Sequence, residues 1–523
     1  MGEHSLLWRE LKIASSFVLS LMFLLGPGDA MAQSDWLTWG YDQQRTGWNQ
    51  SETTLTRDNV SHLELKWKSQ LPTSAKDVVL STLTSPLVAN VDGPAGPRTR
   101  VFVVGSDNTV YAIDSETGEI AWQRRFPNQL TPKQPATLSC SNTQNATPVI
   151  DKKAGVIYVS TSDGKLRGLS LENGDERLPP IDFTTPFARN WSLNLIDGVI
   201  YSPTARGCGG ALSHYTAIDL RDPARRVVEY YTSADRGAGA WGRGGLVAGP
   251  KGVYAQTADG SYDPAAGKFA HSLMFMSFKD LRLLDTYTPA NWEYLEEKDL
   301  DLGATNPTIF PFQKWTLLAS AGKEAVVFLL DADSLGGADH HTPLYQSPRW
   351  GNDQVLHDDR GVLGSMATWQ DAQGRRWLLM PMEGPPSKDA PNFKYSYGKA
   401  DEGSVMAFEV RLDSTNNAPT LVPIWISRDI HAPDPPAVAN GVVYELDTGK
   451  TTMESRAKGK PGSIPGTHAV LYAFDAQTGQ QLYSSDRLID SWAHFTEPVV
   501  AGGKVYISTW DGRVYAFGLM SAR

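Results

Sequence analysis

The stretch Val101–Gln123, VFVVGSDNTVYAIDSETGEIAWQ, decides the fold. An alternating apolar strand leads into a tight turn at Asp107-Asn108. A second strand ends in Ala112-Ile113-Asp114, a turn follows at Thr117-Gly118, and a third strand carries Trp122. Period-2 alternation joined by glycine turns is a β-meander. The same grammar returns in Leu471–Tyr483 (LYAFDAQTGQQLY) and in Lys504–Gly518 (KVYISTWDGRVYAFG). Recurrence at a spacing of tens of residues predicts stacked small sheets rather than one long sheet.

Strands ending in the Ala-x-Asp element or a variant of it number eight, centred at Ala112, Gly168, Ala217, Met276, Leu329, Ala407, Ala473 and Ala516. Their intervals run from 43 to 78 residues, enough for four short strands and their loops. The predicted fold class is therefore all-β, an eight-bladed β-propeller of four-stranded antiparallel blades. After Ala516 the chain has no room for a fourth strand, whereas Leu63–Gln70 (LELKWKSQ) stands alone far upstream. It is expected to complete the last blade and close the ring, which also removes exposed strand edges. The longest interruptions, Pro381–Glu402 and Lys450–His468, are rich in Gly, Pro, Lys and Ser and are expected to be surface loops.

Because the repeats fill nearly the whole chain, its 523 residues are expected to form one domain over residues 33–523. The 16 Trp and 47 Gly suit many short strands packed through aromatic rungs and turned by glycine. With 58 acidic against 48 basic residues the net charge is −10, and no run of Lys/Arg exists to track a phosphate backbone, which argues against nucleic acid as a partner. Residues 1–32 have the form of an export signal: Arg9 and Lys12, the apolar run Ile13–Leu25, a Gly26-Pro27-Gly28 break and the small-x-small site Ala30-Met31-Ala32. Cleavage near Ala32 would leave a periplasmic or secreted protein without a transmembrane segment, since no later stretch approaches the roughly 20 apolar residues of a span. The two cysteines, Cys140 and Cys208, form neither a haem-attachment motif nor a zinc spacing. Export permits a structural disulfide between them, and two pocket thiols are the alternative.

The ring of repeats, together with the Trp36–Trp67 phrase (W-x-x-x-G-x-D, Asn59-Val60, L-x-x-x-W), resembles the family of pyrroloquinoline-quinone (PQQ) dependent alcohol dehydrogenases over essentially all of the mature chain. The repeat alone is not specific, since a non-enzymatic outer-membrane assembly scaffold shares it. The resemblance implies a Trp floor for the quinone after a glycine-rich turn, and Arg236–Trp241 (RGAGAW) makes Trp241 that residue. A Trp packed between blades is the plainer alternative. Where the family binds calcium through an Asn, Tyr254–Ser261 (YAQTADGS) places Asp259, a carboxylate that suits a hard cation, with a plain Asp-Gly turn as the alternative. The family's base before a glycine corresponds to Asp301 in Lys298–Asn306 (KDLDLGATN), with Asp299 beside it. Alternation puts the two acids on the same side of an extended strand, where each raises the other's proton affinity. Solvated loop carboxylates are the alternative. Lys323, in Gly322-Lys323-Glu324, stands where the family reaches the quinone oxygens.

Two departures strike the same site. The family's calcium-binding Glu falls in Ala205–Gly210 (ARGCGG), which holds no acid, and its adjacent cysteine pair is replaced by Ser139-Cys140-Ser141. A calcium or lanthanide site is weakened accordingly, and a Cys140–Cys208 bridge in the pocket is one compensation. The resemblance implies oxidation of an alcohol, small or polymeric: Asp301 takes the hydroxyl proton, Lys323 polarises the quinone on Trp241, and electrons leave to a separate cytochrome or quinone. The rival is a cofactor-free propeller that binds proteins or glycans in the envelope. A lyase or hydrolase lacks a nucleophile constellation. His340-His341 and His357-Asp358-Asp359 are expected in surface loops. Glu383, Arg428, Asp429, His431, Trp492 and His494 mark places where blades meet the central channel, with Arg428 and Asp429 a candidate ion pair. Asn145 begins a glycosylation sequon.

Overall fold

Short alternating strands with one face on each neighbour cannot bury their apolar residues alone, and here they do so by stacking sheet on sheet around a ring. The computed structural model describes residues 34–520 apart from 74–81, 95, 138–139, 145, 206, 236, 357–359 and 451–466. The leader, Ser139, the Asn145 sequon, Arg236, the 357–359 triplet and most of the Lys450–His468 stretch lie outside the described residues. Eight antiparallel four-stranded sheets form an eight-bladed β-propeller, some carrying a short extra strand. The first is Leu87–Val91, Arg98–Val104, Thr109–Asp114 and Ile120–Arg125. Every Ala-x-Asp strand expected from the sequence is the third strand of its own blade, from Thr109–Asp114 in blade 1 to Arg513–Leu519 in blade 8. Among the described residues no helix is long and apolar enough to cross a membrane.

The ring closes as expected. Leu63–Gln70 pairs antiparallel with Arg513–Leu519, in register from Leu63↔Leu519 to Gln70↔Arg513 with one bulge. Its Trp67 shows why the T-G turn and the fourth-strand Trp recur together. The indole Nε1 donates to the Ser115 carbonyl of blade 1, 48 residues on, at 2.9 Å. Trp122 repeats this on Leu171 at 3.0 Å and Trp425 on Ala476 at 3.0 Å. In all three the turn glycine lies flat against the indole: a Cβ on Gly118, Gly174 or Gly479 would stand 2.6–2.7 Å from the ring. Each also has φ of 73–75°, a region that only glycine enters freely.

The N-terminal segment Trp36–Asn49 reaches the first, innermost strand of every blade. Trp36 exchanges backbone hydrogen bonds with Val88, and the Leu37, Gln43, Gln44, Thr46 and Gly47 carbonyls accept from Ile150, Ala248, Ile309, Thr368 and Val438. The Gln43 side chain donates to Leu195 O at 2.6 Å and that of Asn49 to Val500 O at 2.7 Å. Arg45, wholly buried, holds the segment's middle: Nε donates to Gly244 O, Nη1 to Thr38 Oγ1 and Trp39 O, and Nη2 to Leu193 O. One chain segment thus satisfies backbone groups that the inner strands would otherwise leave open.

The Pro381–Glu402 stretch is only partly loop. Its start continues the strand Arg376–Glu383, and Tyr395–Ser396 adds a parallel fifth strand to blade 6.

Candidate functional site

In an antiparallel blade the connection from strand two to strand three and the connection onward to the next blade emerge at the same end. Every predicted site residue lies in one of these connections. Cys140 lies between blades 1 and 2, Trp241 between blades 3 and 4, and Asp299 and Asp301 between blades 4 and 5. Cys208, Asp259 and Lys323 lie in the second connections of blades 3, 4 and 5. One face of the ring therefore carries them all.

Glycine brings three of these loops into contact. A Cβ on Gly322 would stand 2.4 Å from Asp301 O, and one on Gly303 2.5 Å from the Thr257 carbonyl carbon, so a side chain at either would separate the loops that carry Lys323, Asp301 and Asp259. In the contact so formed Asp301 is 1% exposed and both its carboxylate oxygens are engaged. Lys323 Nζ lies 2.6 Å from Oδ2, and the Asp259 amide donates to Oδ1 at 3.0 Å. The ammonium also donates to Asp299 O at 3.2 Å, stands 3.6 Å from Asp299 Oδ1, and sits 5.5 Å from the centroid of the Trp241 ring. Asp259, Asp299 and Asp301 offer carboxylate oxygens within 4.8 Å of one another, the first two exposed.

The expectation for the two neighbouring acids needs correction. Asp299 has φ of 53° and Asp301 leads into a 3-10 turn over Leu302–Ala304, so the segment is not an extended strand. The carboxylates converge through Lys323 rather than by alternation. Asp301 does not gain proton affinity either. Burial pushes its pKa up, but the Lys323 charge, its hydrogen bond and the Asp259 amide outweigh burial and hold it below the usual carboxylate value.

The Asp259–Gly260 turn is gripped from a second side. Gly260 N donates to Glu296 Oε2 at 2.7 Å, and the same oxygen meets His271 Nε2 at 3.1 Å. The His271 hydrogen bond leads the causes that hold Glu296 low, against a smaller cost of burial.

Trp241 is 7% exposed and shares an apolar cluster with Trp191, Ala205, Ala258, Ala304, Leu363 and Phe495. Beside it lies a cationic shelf that the sequence did not reveal. The Arg243 guanidinium covers the Phe495 ring at 3.5 Å and pairs with buried Asp434 at 2.5 Å. Arg189 covers the Trp191 ring at 4.7 Å. Lys450 approaches Glu383 at 3.7 Å. The one clue was position: Arg243 follows Trp241 by two residues within the same glycine-rich run.

Of the other candidates, His494 stacks on Phe495 at 3.6 Å and Trp492 on Trp510 at 5.3 Å. His431 meets Asp447 at 3.2 Å, and that bond raises its pKa ahead of the opposing burial. Arg428 and Asp429 are not an ion pair: Arg428 donates to Gln481 and covers Tyr472, while Asp429 accepts from the Glu402 amide. His340 and His341 bond the Thr286 and Thr288 carbonyls at the surface.

Cys140 and Cys208 form a disulfide, with Cα atoms 5.3 Å apart across 68 residues of sequence. Neither sulfur remains a thiolate ligand, and Ala205–Gly210 contributes no carboxylate.

Residues 45–179 match the family described as outer membrane protein assembly factor BamB. No curated protein matches the chain by sequence. Among solved structures, it resembles a quinohemoprotein alcohol dehydrogenase from Pseudomonas putida HK5 at TM-score 0.59 and 14% identity, over 94% of this chain and 81% of that one. A quinohemoprotein alcohol dehydrogenase from Comamonas testosteroni matches at 0.57 and 15%, over 94% and 81%. A europium-containing methanol dehydrogenase matches at 0.61 and 13%, over 93% and 98%. At such identities the likeness establishes the shared propeller fold.

Proposed function

We propose that the protein is an exported quinoprotein oxidoreductase that oxidises an alcohol, with PQQ as hydride acceptor, and passes electrons to a separate cytochrome or quinone. The observation that carries this reading is the convergence of Asp301, Lys323 and the Trp241 ring from three separate loops. The donor set suits a flat, anionic, oxygen-rich guest: an indole floor, an ammonium over it, and the Arg243 guanidinium in the adjoining cluster. Trp241 and Lys323 would hold the quinone, and the Cys140–Cys208 bridge braces loops on the same face. The quinone would supply the redox chemistry; the protein supplies position and charge. Asp301, kept ionised by Lys323, accepts the hydroxyl proton, and its base strength rises as the ammonium is shared with a second anion. Burial of Asp301 and Lys323 keeps water from competing. The export signal over residues 1–32 and the disulfide fit an oxidising compartment outside the cytoplasm.

A second reading, a cofactor-free scaffold that binds envelope proteins or glycans, is favoured by one observation. At 7% exposure the Trp241 ring is already covered, so a guest on its face must displace packed side chains. Reconstituting the mature protein with PQQ and following dye reduction over a panel of alcohols separates the two. Turnover that is lost in Asp301→Asn supports the oxidoreductase; absence of any turnover with PQQ supports the scaffold.

The donors do not fit calcium or a lanthanide in the same way. The family's Glu is missing, and a lysine ammonium already stands among the three carboxylates.

A further inference from the structure

We propose that the Lys323 ammonium is the resident cation of the Asp259–Asp299–Asp301 cluster, so that this centre works without calcium or a lanthanide. The inference goes beyond the quinone reading and holds whether or not a quinone binds. Hard cations are held by converging oxygens, chiefly carboxylates. Here the oxygens converge, but on nitrogen: Lys323 Nζ has Asp301 Oδ2 at 2.6 Å, the Asp299 carbonyl at 3.2 Å and Asp299 Oδ1 at 3.6 Å, with the Trp241 face at 5.5 Å. These are the neighbours that a bound cation would claim. The second oxygen of Asp301 is taken by the Asp259 amide at 3.0 Å.

A divalent or trivalent ion entering this cluster would meet the ammonium at close range in a site where Asp301 and Lys323 are both buried, so repulsion is weakly screened. The backbone of Lys323 cannot easily withdraw. A Cβ on Gly322 would stand 2.4 Å from Asp301 O, and one on Gly361 2.1 Å from Lys323 O, so backbone is packed tightly on both sides of the lysine. Ala205–Gly210 offers no acid as a replacement for the missing Glu, and Cys208 is committed to its disulfide. Asp259 and Asp299 are the exposed members of the cluster.

The test uses terbium as the probe ion, read by luminescence sensitised through nearby tryptophan, and calcium by calorimetry, on the full mature protein without quinone. The wild type is expected to show no saturable site that depends on Asp301. Lys323→Met should create one, tightening terbium binding about tenfold or more, and Lys323→Met with Asp301→Asn should abolish it again. Lys323→Arg, which keeps the cation, should stay as metal-poor as the wild type. The proposal is overturned if the wild type binds either ion saturably and Asp301→Asn removes that binding. It is equally overturned if folded Lys323→Met, verified by circular dichroism, gains no affinity. Should Lys323→Met not fold, the wild type against Asp301→Asn decides alone. None of these readouts involves PQQ, so the result stands apart from the fate of the quinone reading.

Discussion

Asp301 shows how a single side chain is set by its surroundings. At 1% exposure burial alone would drive its proton affinity up, yet the Lys323 ammonium at 2.6 Å reverses the sign. A carboxyl held below its usual value stays ionised to low pH, so any step that needs Asp301 as a base keeps its acid limb below the usual carboxylate range. Lys323→Met removes the two strongest influences that oppose burial and leaves only the Asp259 amide and His271. Its acid limb should move upward by at least one pH unit, about 1.4 kcal/mol, which the pH profile of alcohol-dependent dye reduction reads directly. An unmoved limb would mean that another group serves as the base. Chain order was enough to single out both residues but not to reveal this polarity. Two acids spaced by one residue suggest mutual repulsion only if the backbone is extended, and a positive φ at Asp299 turns that assumption over.

Among elements, strand four and the turn of the next blade were legible because both carry periodic chemistry: a Trp in one and a T-G or N-G in the other, meeting in a buried hydrogen bond 48–51 residues apart. The closing strand Leu63–Gln70 was legible for the same reason. The Trp36–Asn49 segment was not, although its tryptophan and glycine spacing pointed to the family. It bonds largely through backbone carbonyls and follows no strand period, so nothing in its side chains announces that it touches all eight inner strands. Arg45 is the exception that shows the cost of holding it there. Burial lowers its pKa to about 10, and Glu497 and Asp42 oppose that shift. Arg45→Met should destabilise the protein by about 3–5 kcal/mol, because it takes the donor from five acceptors and the positive charge from beside Glu497 and Asp42. Thermal unfolding measures this; a change below about 1 kcal/mol would show that water can replace the guanidinium. The Arg243–Asp434 pair was equally hidden, since the two residues are 191 apart and sit in loops without a repeat.

At the scale of the whole ring, the inner ends of blades 7 and 8 gather buried acids whose proton affinity is raised by desolvation. Asp434 and Glu445 shift upward, and Glu497 moves from 4.5 to about 8. The folded protein therefore binds more protons than the unfolded chain between those two values. Stability must fall as pH rises from about 4.5 to 8 and level off above. Glu497→Gln removes its share of this slope, on the order of a few kcal/mol, while the Asp301 contribution, present above the usual carboxylate value, is lost only in acid. Denaturant titrations of both proteins at pH 5 and pH 8 test it; a wild type equally stable at both would place these carboxyls in contact with water.

The quinone reading rests on the Trp241, Lys323 and Asp301 constellation. The most direct measurement is equilibrium titration of the purified mature protein with PQQ, followed by quenching of tryptophan fluorescence, in the wild type, Trp241→Ala and Lys323→Met. Saturable binding by the wild type without added metal, weakened about tenfold or more by each substitution, is the expected result. Absence of saturable binding by the wild type, or binding that both substitutions leave untouched, would contradict it.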